Sequence, residues 1–540
     1  MISWTKFCEG FFSEYFHIYP EQAIEYGVPG FDDKAQEFSD EAYRREKSFW
    51  KKSQKRLHNV NRKNLTADED IDFQLMKGKI IIANYEFSKF DYRFREPHVY
   101  LPFAHIHALT VKPTNDVAGN VLGQLKQFPR TVAEAMALYN TKIKHYPPAV
   151  WTEMAIEEAM SGIAFLDTLA ANPRVRNSVK DRHEFSRAVY WAKRSSRIFA
   201  DFLRTEILPK SGDSYAVGEE HYQLLLENFH FLKMDADGLL ALGEKLFAKT
   251  KYELGKLADE LSPGRTVREV ADRIYANHPS NGELLEAYKN VMLAAREFVK
   301  EKRLVTFPPV EELDVVWTPE FLLHEIPIAA YENPPLSDPR QTGLYYVTPT
   351  EDEESLKAHN WSGLQNTTVH ESYPGHHLQF TVANSIPAAC TFPRLMCVTT
   401  VMYEGWALYC EELMMELGFL GTKEHRFVML KDRLWRALRI IIDVETQRGR
   451  MTYEQAADLM ERELFFPRQQ AYADLNWYSQ APSEPMGYAL GWHIIKDLRH
   501  REMEKLGPEF SLREFHDKYL SCGSIAPPLI IKRCFSHQAS

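Results

Sequence analysis

The sequence contains few cysteines. There are six in 540 residues, none of them forms a Cys-x-x-Cys pair, and they lie at positions 8, 390, 397, 410, 522 and 534. So sparse a set argues against a disulfide framework or a zinc finger as the organising element of the fold. It fits a reducing compartment better, and we therefore expect a cytoplasmic protein.

Long hydrophobic runs are absent as well. No uncharged apolar stretch reaches the roughly 18 residues that a membrane-spanning helix needs. The first twenty residues carry Lys6, Glu9 and Glu14, and they lack the basic start, apolar run and small-residue cleavage site of a secretion signal. The sequence predicts a soluble protein with no membrane partner.

Positive charge is not in excess either. The formal net charge is -10 and the isoelectric point is near 6.1. Without a basic field the chain has little to attract a phosphate backbone, so nucleic acid is not an expected partner.

What the sequence has in quantity is helical pattern. Residues 237–261 and 280–304 place apolar side chains every three or four positions with charges between them, which is typical of amphipathic helices. Residues 305–350 differ, because their prolines and their β-branched and aromatic runs indicate short strands. We predict a mainly α fold with a small β-sheet.

The domain organisation follows from this change of pattern. We divide the chain near residue 305, into a helical N-terminal part at 1–304 and a part at 305–540 that carries the chemistry. No internal repeat or low-complexity linker marks the division, so a single integrated domain is the alternative.

The chemistry is suggested by the stretch TTVHESYPGHHLQF, residues 367–380. His370 and His377 would share a face of a straight helix, but seven residues separate them by roughly 10 Å along the axis. Two nitrogens on one zinc ion can be no more than about 4 Å apart. Pro374 and Gly375 should therefore interrupt the helix and allow a later histidine to approach His370.

A carboxylate downstream supports a metal site. Glu404 lies in the apolar and aromatic segment VMYEGWALYCEEL, residues 401–413, where a carboxylate with no partner would be costly. Two histidines and this carboxylate, with Glu371 beside the first histidine, form the set that a zinc hydrolase needs. From the residues alone, the second histidine is either His376 or His377.

Three segments resemble a known family. HESYPGHHLQ, YEGWALYCEEL and FHDKYLSCGSIAPPLII are similar, in this order, to motifs of the domain-of-unknown-function 885 family of zinc metallopeptidase relatives. The resemblance runs from about residue 230 to the C-terminus and more loosely before it. It implies a zincin-like, gluzincin-type fold holding one zinc ion in a deep cleft bordered by the small sheet.

The resemblance also implies residue roles. The Gly-His of related sites is matched by His376, which makes His370, His376 and Glu404 the expected metal ligands and leaves His377 as a residue that contacts the substrate or supports the ligands. Tyr488 matches a family tyrosine and is the expected donor to the reaction's oxyanion. Arg340 matches a family arginine and is expected to bind a substrate carboxylate.

The expected reaction is hydrolysis of an amide bond in a small peptide or peptide-like substrate. Zinc would acidify a water molecule and polarise the substrate carbonyl, while Glu371 takes the water's proton as general base and passes it to the leaving amine.

Four positions depart from the family pattern. These positions are Gln447, Trp477, Ser483 and Glu484. The departures suggest a specialised branch of the family that acts on an unusual amide or a small metabolite. Two other readings stay open. Two histidines and one carboxylate also describe a non-haem iron or manganese site. Alternatively, the chain could be a catalytically silent relative that binds a peptide or metabolite in the cleft of the former active site.

A further histidine pair and a second His-Glu pair lack useful metal spacing. His105 and His107 alternate as on a strand, and His324 next to Glu325 has no second histidine in reach. We interpret both pairs as structural.

Overall fold

The computed structural model describes residues 2–111, 114–319, 322–323, 326–350 and 352–536. It is mainly helical with a small three-stranded sheet, which confirms the predicted fold class at this level. The residues form two units, one comprising 1–215 with 335–338, the other 216–334 with 339–540. His324 and Glu325 lie outside the described residues.

The first unit is helical. Its α-helices are α1 (Trp4–Ile18), α2 (Pro20–Glu25), α3 (Asp40–His58), α4 (Ala67–Lys89), α5 (Tyr92–Arg95), α6 (Phe103–Val111), α7 (Val117–Lys142), α8 (Ala149–Leu169), α9 (Pro173–Ser178) and α10 (Arg182–Phe202). Aromatic side chains fill part of its core, where the ring of Phe11 lies 4.9 Å from that of Phe49 and 5.8 Å from that of Trp50. His105 and His107 belong to α6, so the extended conformation expected for them is wrong.

The second unit carries the candidate site. Its α-helices are α11 (Glu219–Asn228), α12 (Ala236–Leu261), α13 (Val267–Tyr275), α14 (Leu284–Lys302), α15 (Glu353–Leu356), α16 (Trp361–Glu371), α17 (His376–Asn384), α18 (Phe392–Met396), α19 (Thr400–Glu416), α20 (Lys423–Gln447), α21 (Tyr453–Leu464), α22 (Arg468–Gln480), α23 (Gly487–Leu506), α24 (Leu512–Leu520) and α25 (Pro527–Cys534). The amphipathic patterns predicted at 237–261 and 280–304 correspond to α12 and α14.

Shorter helical turns connect these elements. They are a π-helical segment at Leu203–Ile207 and 3₁₀ turns at Arg62–Asn64, Pro97–Tyr100, Leu208–Lys210, Asn281–Glu283, Lys357–His359, Pro387–Ala389 and Gly507–Glu509.

The boundary between the units does not fall near residue 305. Leu254 and Leu257 of α12 share a hydrophobic cluster with Phe427, Leu434 and Leu438 of α20. Helix α12, which precedes residue 305, therefore buries its apolar face against the part that carries the chemistry, and the division of the chain lies at 215/216.

The small sheet lies within the segment predicted for it. Its strands are β1 (Glu312–Trp317), β2 (Ala329–Glu332) and β3 (Thr342–Val347). β3 is central, pairing in parallel with β1, Glu312 opposite Thr342, and antiparallel with β2, Tyr331 opposite Tyr345. Among the described residues, we find no helix with the length and apolarity to cross a membrane.

Candidate metal centre

The predicted break in the helix lies between α16 and α17. α16 ends at Glu371, a cis peptide joins Tyr373 to Pro374, and α17 begins at His376. Gly375 is needed there, because a Cβ atom on it would lie 1.9 Å from the carbonyl oxygen of His370. Trp406 fixes the break by donating from Nε1 to the carbonyl oxygen of Pro374 at 2.9 Å.

The break brings three potential metal ligands together. Oε2 of Glu404 lies 3.1 Å from Nε2 of His370 and 3.3 Å from Nε2 of His376, and the three ligand atoms all lie within 4.8 Å of one another. The three side chains come from α16, α17 and α19. His376 therefore joins the cluster.

The cluster has a second carboxylate behind it. Nδ1 of His370 lies 2.8 Å from Oε1 of Glu411, and the amide of Asn366 donates to Oε2 of Glu411 at 2.9 Å. The sequence reasoning missed Glu411. A signal was present, since Glu411 follows Glu404 by seven residues and so lies on the same face of α19, two turns further on.

Aromatic rings surround His376. Its ring lies 6.3 Å from Tyr331 in a stacked arrangement, 5.9 Å from Tyr403 and 6.2 Å from Phe380. Its Nδ1 is buried without a hydrogen-bond partner among the described residues. Ring packing therefore orients His376, whereas a hydrogen bond orients His370. Tyr331, on β2, was not identified from the sequence, because no pattern links a strand residue to a motif 40 positions away.

Glu371 is the last residue of α16 and lies beside the cluster. Its Oε2 is 4.0 Å from Nε2 of His376, and its side chain is 15% exposed. Burial raises the pKa of Glu371, and the charge of Glu404 adds to the rise, against the opposing effect of His370, His376 and Arg436. A carboxylate with a raised pKa is a better proton acceptor than an ordinary surface glutamate.

Tyr488 reaches the same cluster because two helices touch at glycines. A Cβ atom on Gly405 of α19 would lie 2.4 Å from Cα of Gly491 of α23, so the two backbones are in contact there. Tyr488 lies one turn before Gly491 on α23, and Glu404 directly precedes Gly405 on α19. The contact of the two glycines therefore brings Tyr488 to Glu404. Burial raises the pKa of Tyr488, as do the charge of Glu404 and a hydrogen bond with it.

His377 belongs to a different network. It is fully buried, with Nε2 3.1 Å from Oε2 of Glu311 and Nδ1 3.2 Å from the hydroxyl of Tyr331. Tyr373 and Arg296 also hydrogen-bond to the carboxylate of Glu311. His377 therefore anchors the start of α17 to the segment before β1, while His376 joins the cluster with His370 and Glu404.

Arg340 lies in the loop before β3. Its side chain is 70% exposed, and its Nη1 lies 3.7 Å from Oε2 of Glu312. Its role in binding a substrate carboxylate stays a prediction.

The four departures from the family pattern lie around α20, α22 and α23. Gln447 donates to the carbonyl oxygen of Tyr478 at 2.8 Å, and the ring of Trp477 lies 6.3 Å from that of Tyr488. Ser483 has a φ of 68°, in the left-handed region that favours glycine. Thr400 donates from its hydroxyl to the carbonyl oxygen of Glu484 at 2.9 Å.

The donor set fits a divalent cation. In a neutral His370 ring the proton belongs on Nδ1, facing Glu411, so the Nε2 lone pair faces the Glu404 carboxylate. The Nε2 lone pair of His370 and the Glu404 carboxylate oxygen repel each other at 3.1 Å unless a positive charge lies between them. Burial alone would lower the pKa of His370, but hydrogen bonds with Glu404 and Glu411 raise it to about 10, which also reflects a site built for positive charge. Zinc, iron and manganese all accept two imidazoles and a carboxylate.

Comparison with known families decides the membership of the chain. A model of the family described as bacterial proteins of unknown function, DUF885, matches residues 20–533. The chain belongs to the DUF885 family. The comparison with curated protein sequences found no match.

Two solved structures share the fold of this DUF885 chain. One, from Shewanella oneidensis, is described as a candidate lipoprotein of unknown function, with a TM-score of 0.81, 23% identity and coverage of 98% of this chain and 99% of that one. The other, a candidate lipoprotein from Colwellia psychrerythraea, has a TM-score of 0.82, 18% identity and coverage of 99% of each chain. An M32 carboxypeptidase from Deinococcus radiodurans R1 matches at a TM-score of 0.40 and 11% identity, over 97% of this chain and 96% of that one.

The expectation of a cytoplasmic location is corrected by these neighbours. Both are described as candidate lipoproteins, and this contradicts the expectation. It rested on sparse cysteines, and the structure has all six as thiols. A core of this size needs no disulfides in any compartment, so a low cysteine count does not discriminate between compartments.

Proposed function

We propose that the protein is a zinc-dependent hydrolase that cleaves an amide bond in a small peptide or peptide-like substrate, with a gluzincin-type site. The observation that carries the proposal is the convergence of His370, His376 and Glu404 beside Glu371, within one buried cluster. Two imidazoles and a carboxylate bind zinc in hydrolases that leave a coordination position open for the reaction.

The proposed ligands are supported by their neighbours. Glu411 accepts a hydrogen bond from Nδ1 of His370, which holds the ring in the tautomer whose Nε2 is available to a metal. The packing of Tyr331 and Tyr403 against His376 limits rotation of that ring. The site is therefore preorganised on both histidines by different means.

The remaining roles belong to Glu371 and Tyr488. When bound, zinc supplies Lewis acidity, which polarises the substrate carbonyl and makes a water molecule easier to deprotonate. The Glu371 carboxylate accepts the proton of the attacking water and then delivers it to the nitrogen of the leaving amine. The Tyr488 hydroxyl, which lies beside Glu404, donates to the carbonyl oxygen as negative charge develops on it.

The test is metal analysis combined with one conservative variant. Protein purified without chelators should carry about one zinc per chain, and His370→Ala and Glu404→Ala should lose it. Glu371→Gln should keep the zinc and lose hydrolysis of a library of N-acylated and free peptides, because the amide cannot accept the proton.

Other results of the metal analysis would support one of the two alternative hypotheses. Iron or manganese in place of zinc would indicate a non-haem metal enzyme. Zinc that is retained by a wild-type protein with no turnover on any amide would favour a binding protein without catalysis. Protein without any metal would refute the proposal.

A further inference from the structure

Two arginines of α20 lie next to Tyr488. Arg436 and Arg439 are three residues apart and so lie on neighbouring turns of one helix face. Their guanidinium carbons lie 5.9 Å and 4.5 Å from the centroid of the Tyr488 ring. Because Tyr488 also contacts Glu404, a single tyrosine separates these two positive charges from the metal-ligand cluster.

Both guanidinium groups have hydrogen-bond donors left over. Arg439 is only 5% exposed, and its Nε donates to the hydroxyl of Tyr478 at 2.6 Å, but its Nη1 is buried without a partner in the described part of the chain. The side chain of Arg436 is 14% exposed and its Nε is buried in the same unpartnered way. Donors of a buried charged group that find no acceptor cost free energy, which an incoming anion would recover.

The neighbouring carboxylates do not use these donors. Oδ1 of Asp474 lies 4.0 Å from Nη2 of Arg439, and Oδ1 of Asp432 lies 3.6 Å from Nη1 of Arg436. Neither distance is that of a hydrogen bond. Arg436 also donates from Nη1 to the carbonyl oxygen of Asp432 at 3.4 Å, and Arg439 hydrogen-bonds with Tyr488. The donors left for an anion are therefore Nε of Arg436 and Nη1 of Arg439, which have no partner among the described residues.

Aromatic rings pack against the guanidinium groups of the two arginines. The guanidinium carbons of Arg436 and Arg439 lie 4.4 Å and 4.3 Å from the ring centroid of Trp435, and that of Arg439 lies 5.4 Å from the ring centroid of Trp477. Stacking holds the planar forks in a fixed orientation and keeps water from competing for them. A planar bidentate anion, above all a carboxylate, is the ligand that such forks recognise.

We propose that Arg436 and Arg439 bind a free carboxylate of the substrate, so that the protein is an exo-acting hydrolase for amides with a terminal carboxylate one or two residues beyond the cleaved bond. One residue of an extended chain spans at most roughly 3.6 Å. Two residues therefore span roughly 7 Å. The guanidinium carbons lie 4.5 Å and 5.9 Å from the centroid of the Tyr488 ring, whose hydroxyl faces the cluster, so a carboxylate one or two residues beyond the cleaved bond has a comparable reach. This inference rests on the proposed function, and it names the substrate class of the same site.

The experiment separates binding from turnover. The Glu371→Gln protein, titrated by calorimetry with a panel of N-acetyl dipeptides that vary in the last residue, should bind the free acids at least tenfold more tightly than the matching C-terminal amides. Arg439→Gln and Arg436→Gln, each introduced into that background, should reduce the preference for the free acids to less than about twofold. Arg439→Lys, which keeps the charge but loses the fork, should retain only part of it.

A matched control comes from the same helix. Arg433 lies 4.2 Å from the ring centroid of Trp492 and 3.3 Å from a carboxylate oxygen of Glu412, away from Tyr488. Arg433→Gln removes a buried arginine from α20 without touching the proposed fork, and should keep the full preference for acids. Because Arg436 is the less buried of the two arginines, its variant keeps the test decisive if Arg439→Gln fails to fold.

Each remaining outcome is informative. Equal binding of acids and amides, a preference that survives both arginine variants, or no binding of either series would overturn the inference. Wild-type protein that cleaves acids and amides equally well would refute the carboxylate site and leave the proposed hydrolase standing. Arginine-dependent binding of acids by a wild-type protein that cleaves nothing would refute the hydrolase and leave the carboxylate site standing.

Discussion

His370 is held between two glutamates of one helix. Its Nε2 faces Glu404 at 3.1 Å and its Nδ1 faces Glu411 at 2.8 Å, and both carboxylates project from the same face of α19. One helix thus supplies a ligand of the proposed metal and the group that orients another ligand. The orientation of His370 is fixed without any contribution from a mobile loop.

Glu411→Gln tests this relationship. Loss of the charge behind His370 should weaken zinc binding by about tenfold to a hundredfold, the range found when an outer carboxylate of a metal-bound histidine is removed. The measurement is competition with a chromogenic chelator. Glu412→Gln is the control, because Glu412 pairs instead with Lys496 at 2.7 Å, and an equal loss of zinc in both variants would contradict the role of Glu411.

The choice between the two adjacent histidines can be tested by metal content. His376→Gln should lose zinc, because His376 contributes to the cluster with Glu404. His377→Gln should keep about one zinc per chain, since His377 contacts Glu311 and Tyr331. The reverse result, with zinc lost only from the His377 variant, would mean that α17 is rotated in the metal-bound protein.

Gly375→Ala should destroy the break between α16 and α17. The added Cβ atom would meet the carbonyl oxygen of His370 at 1.9 Å, where only backbone could move to relieve the clash. We expect the free energy of unfolding to fall by about 1–3 kcal/mol, the usual cost of overpacking, together with loss of zinc.

The matched control for that variant is Gly255→Ala, within α12. An added Cβ atom there meets nothing within 4 Å, and alanine in a helix should stabilise the protein by up to about 1 kcal/mol. Urea unfolding measures both variants, and a Gly375→Ala protein with unchanged stability and zinc content would show that the break tolerates a side chain.

Tyr488→Phe isolates the hydroxyl beside Glu404. If that hydroxyl donates to the developing oxyanion, kcat should fall by about 10²–10³-fold with little change in KM and none in zinc content. The control is Tyr472→Phe. The Tyr472 hydroxyl donates to Glu454 at 3.1 Å, far from the cluster in sequence, and its removal should leave activity unchanged. A change in KM alone would reassign Tyr488 to substrate binding.

Stability should fall as the pH rises toward 8, because of Asp443. Burial raises its pKa to about 8, with the charge of Glu484 adding to the rise, although the hydroxyl of Tyr222 and the backbone N–H of Ser483 donate to it. In the unfolded chain an aspartate titrates near 3.9. Between about pH 4 and pH 8 the folded protein therefore holds one more proton, and Asp443 lowers the free energy of unfolding by up to about 1.4 kcal/mol per pH unit.

Asp443→Asn cannot ionise and should flatten that decline. Urea unfolding at pH 5 and pH 8 measures the difference, with Asp497→Asn, at a side chain that is 56% exposed, as the control. A wild-type protein and an Asp443→Asn protein with the same slope would mean that Asp443 ionises normally in the fold.

The sequence was informative where local chemistry decides structure. Pro374 and Gly375 predicted the interruption of the helix, because one removes a backbone donor and the other permits a backbone contact that a side chain forbids. Glu404 was predicted from the cost of a carboxylate in an apolar segment. In both cases the physical reason lies within a few residues of the motif.

The sequence was less informative where distant segments meet. Tyr331 packs on His376 because β2 pairs with β3 in the sheet. Arg436 and Arg439 reach Tyr488 because α20 packs beside α23. The family pattern pointed to Arg340, which lies exposed in the loop before β3, and its role stays a prediction.

The two neighbouring histidines at the start of α17 set a limit on the length of the chain before them. Consecutive residues of a helix point about 100° apart, so His376 and His377 each engage a different set of partners. Deleting one residue between Glu371 and Gly375 would offer His377 to Glu404, and inserting one would offer Gly375. The number of residues in this spacer thus decides which side chain at the start of α17 faces Glu404.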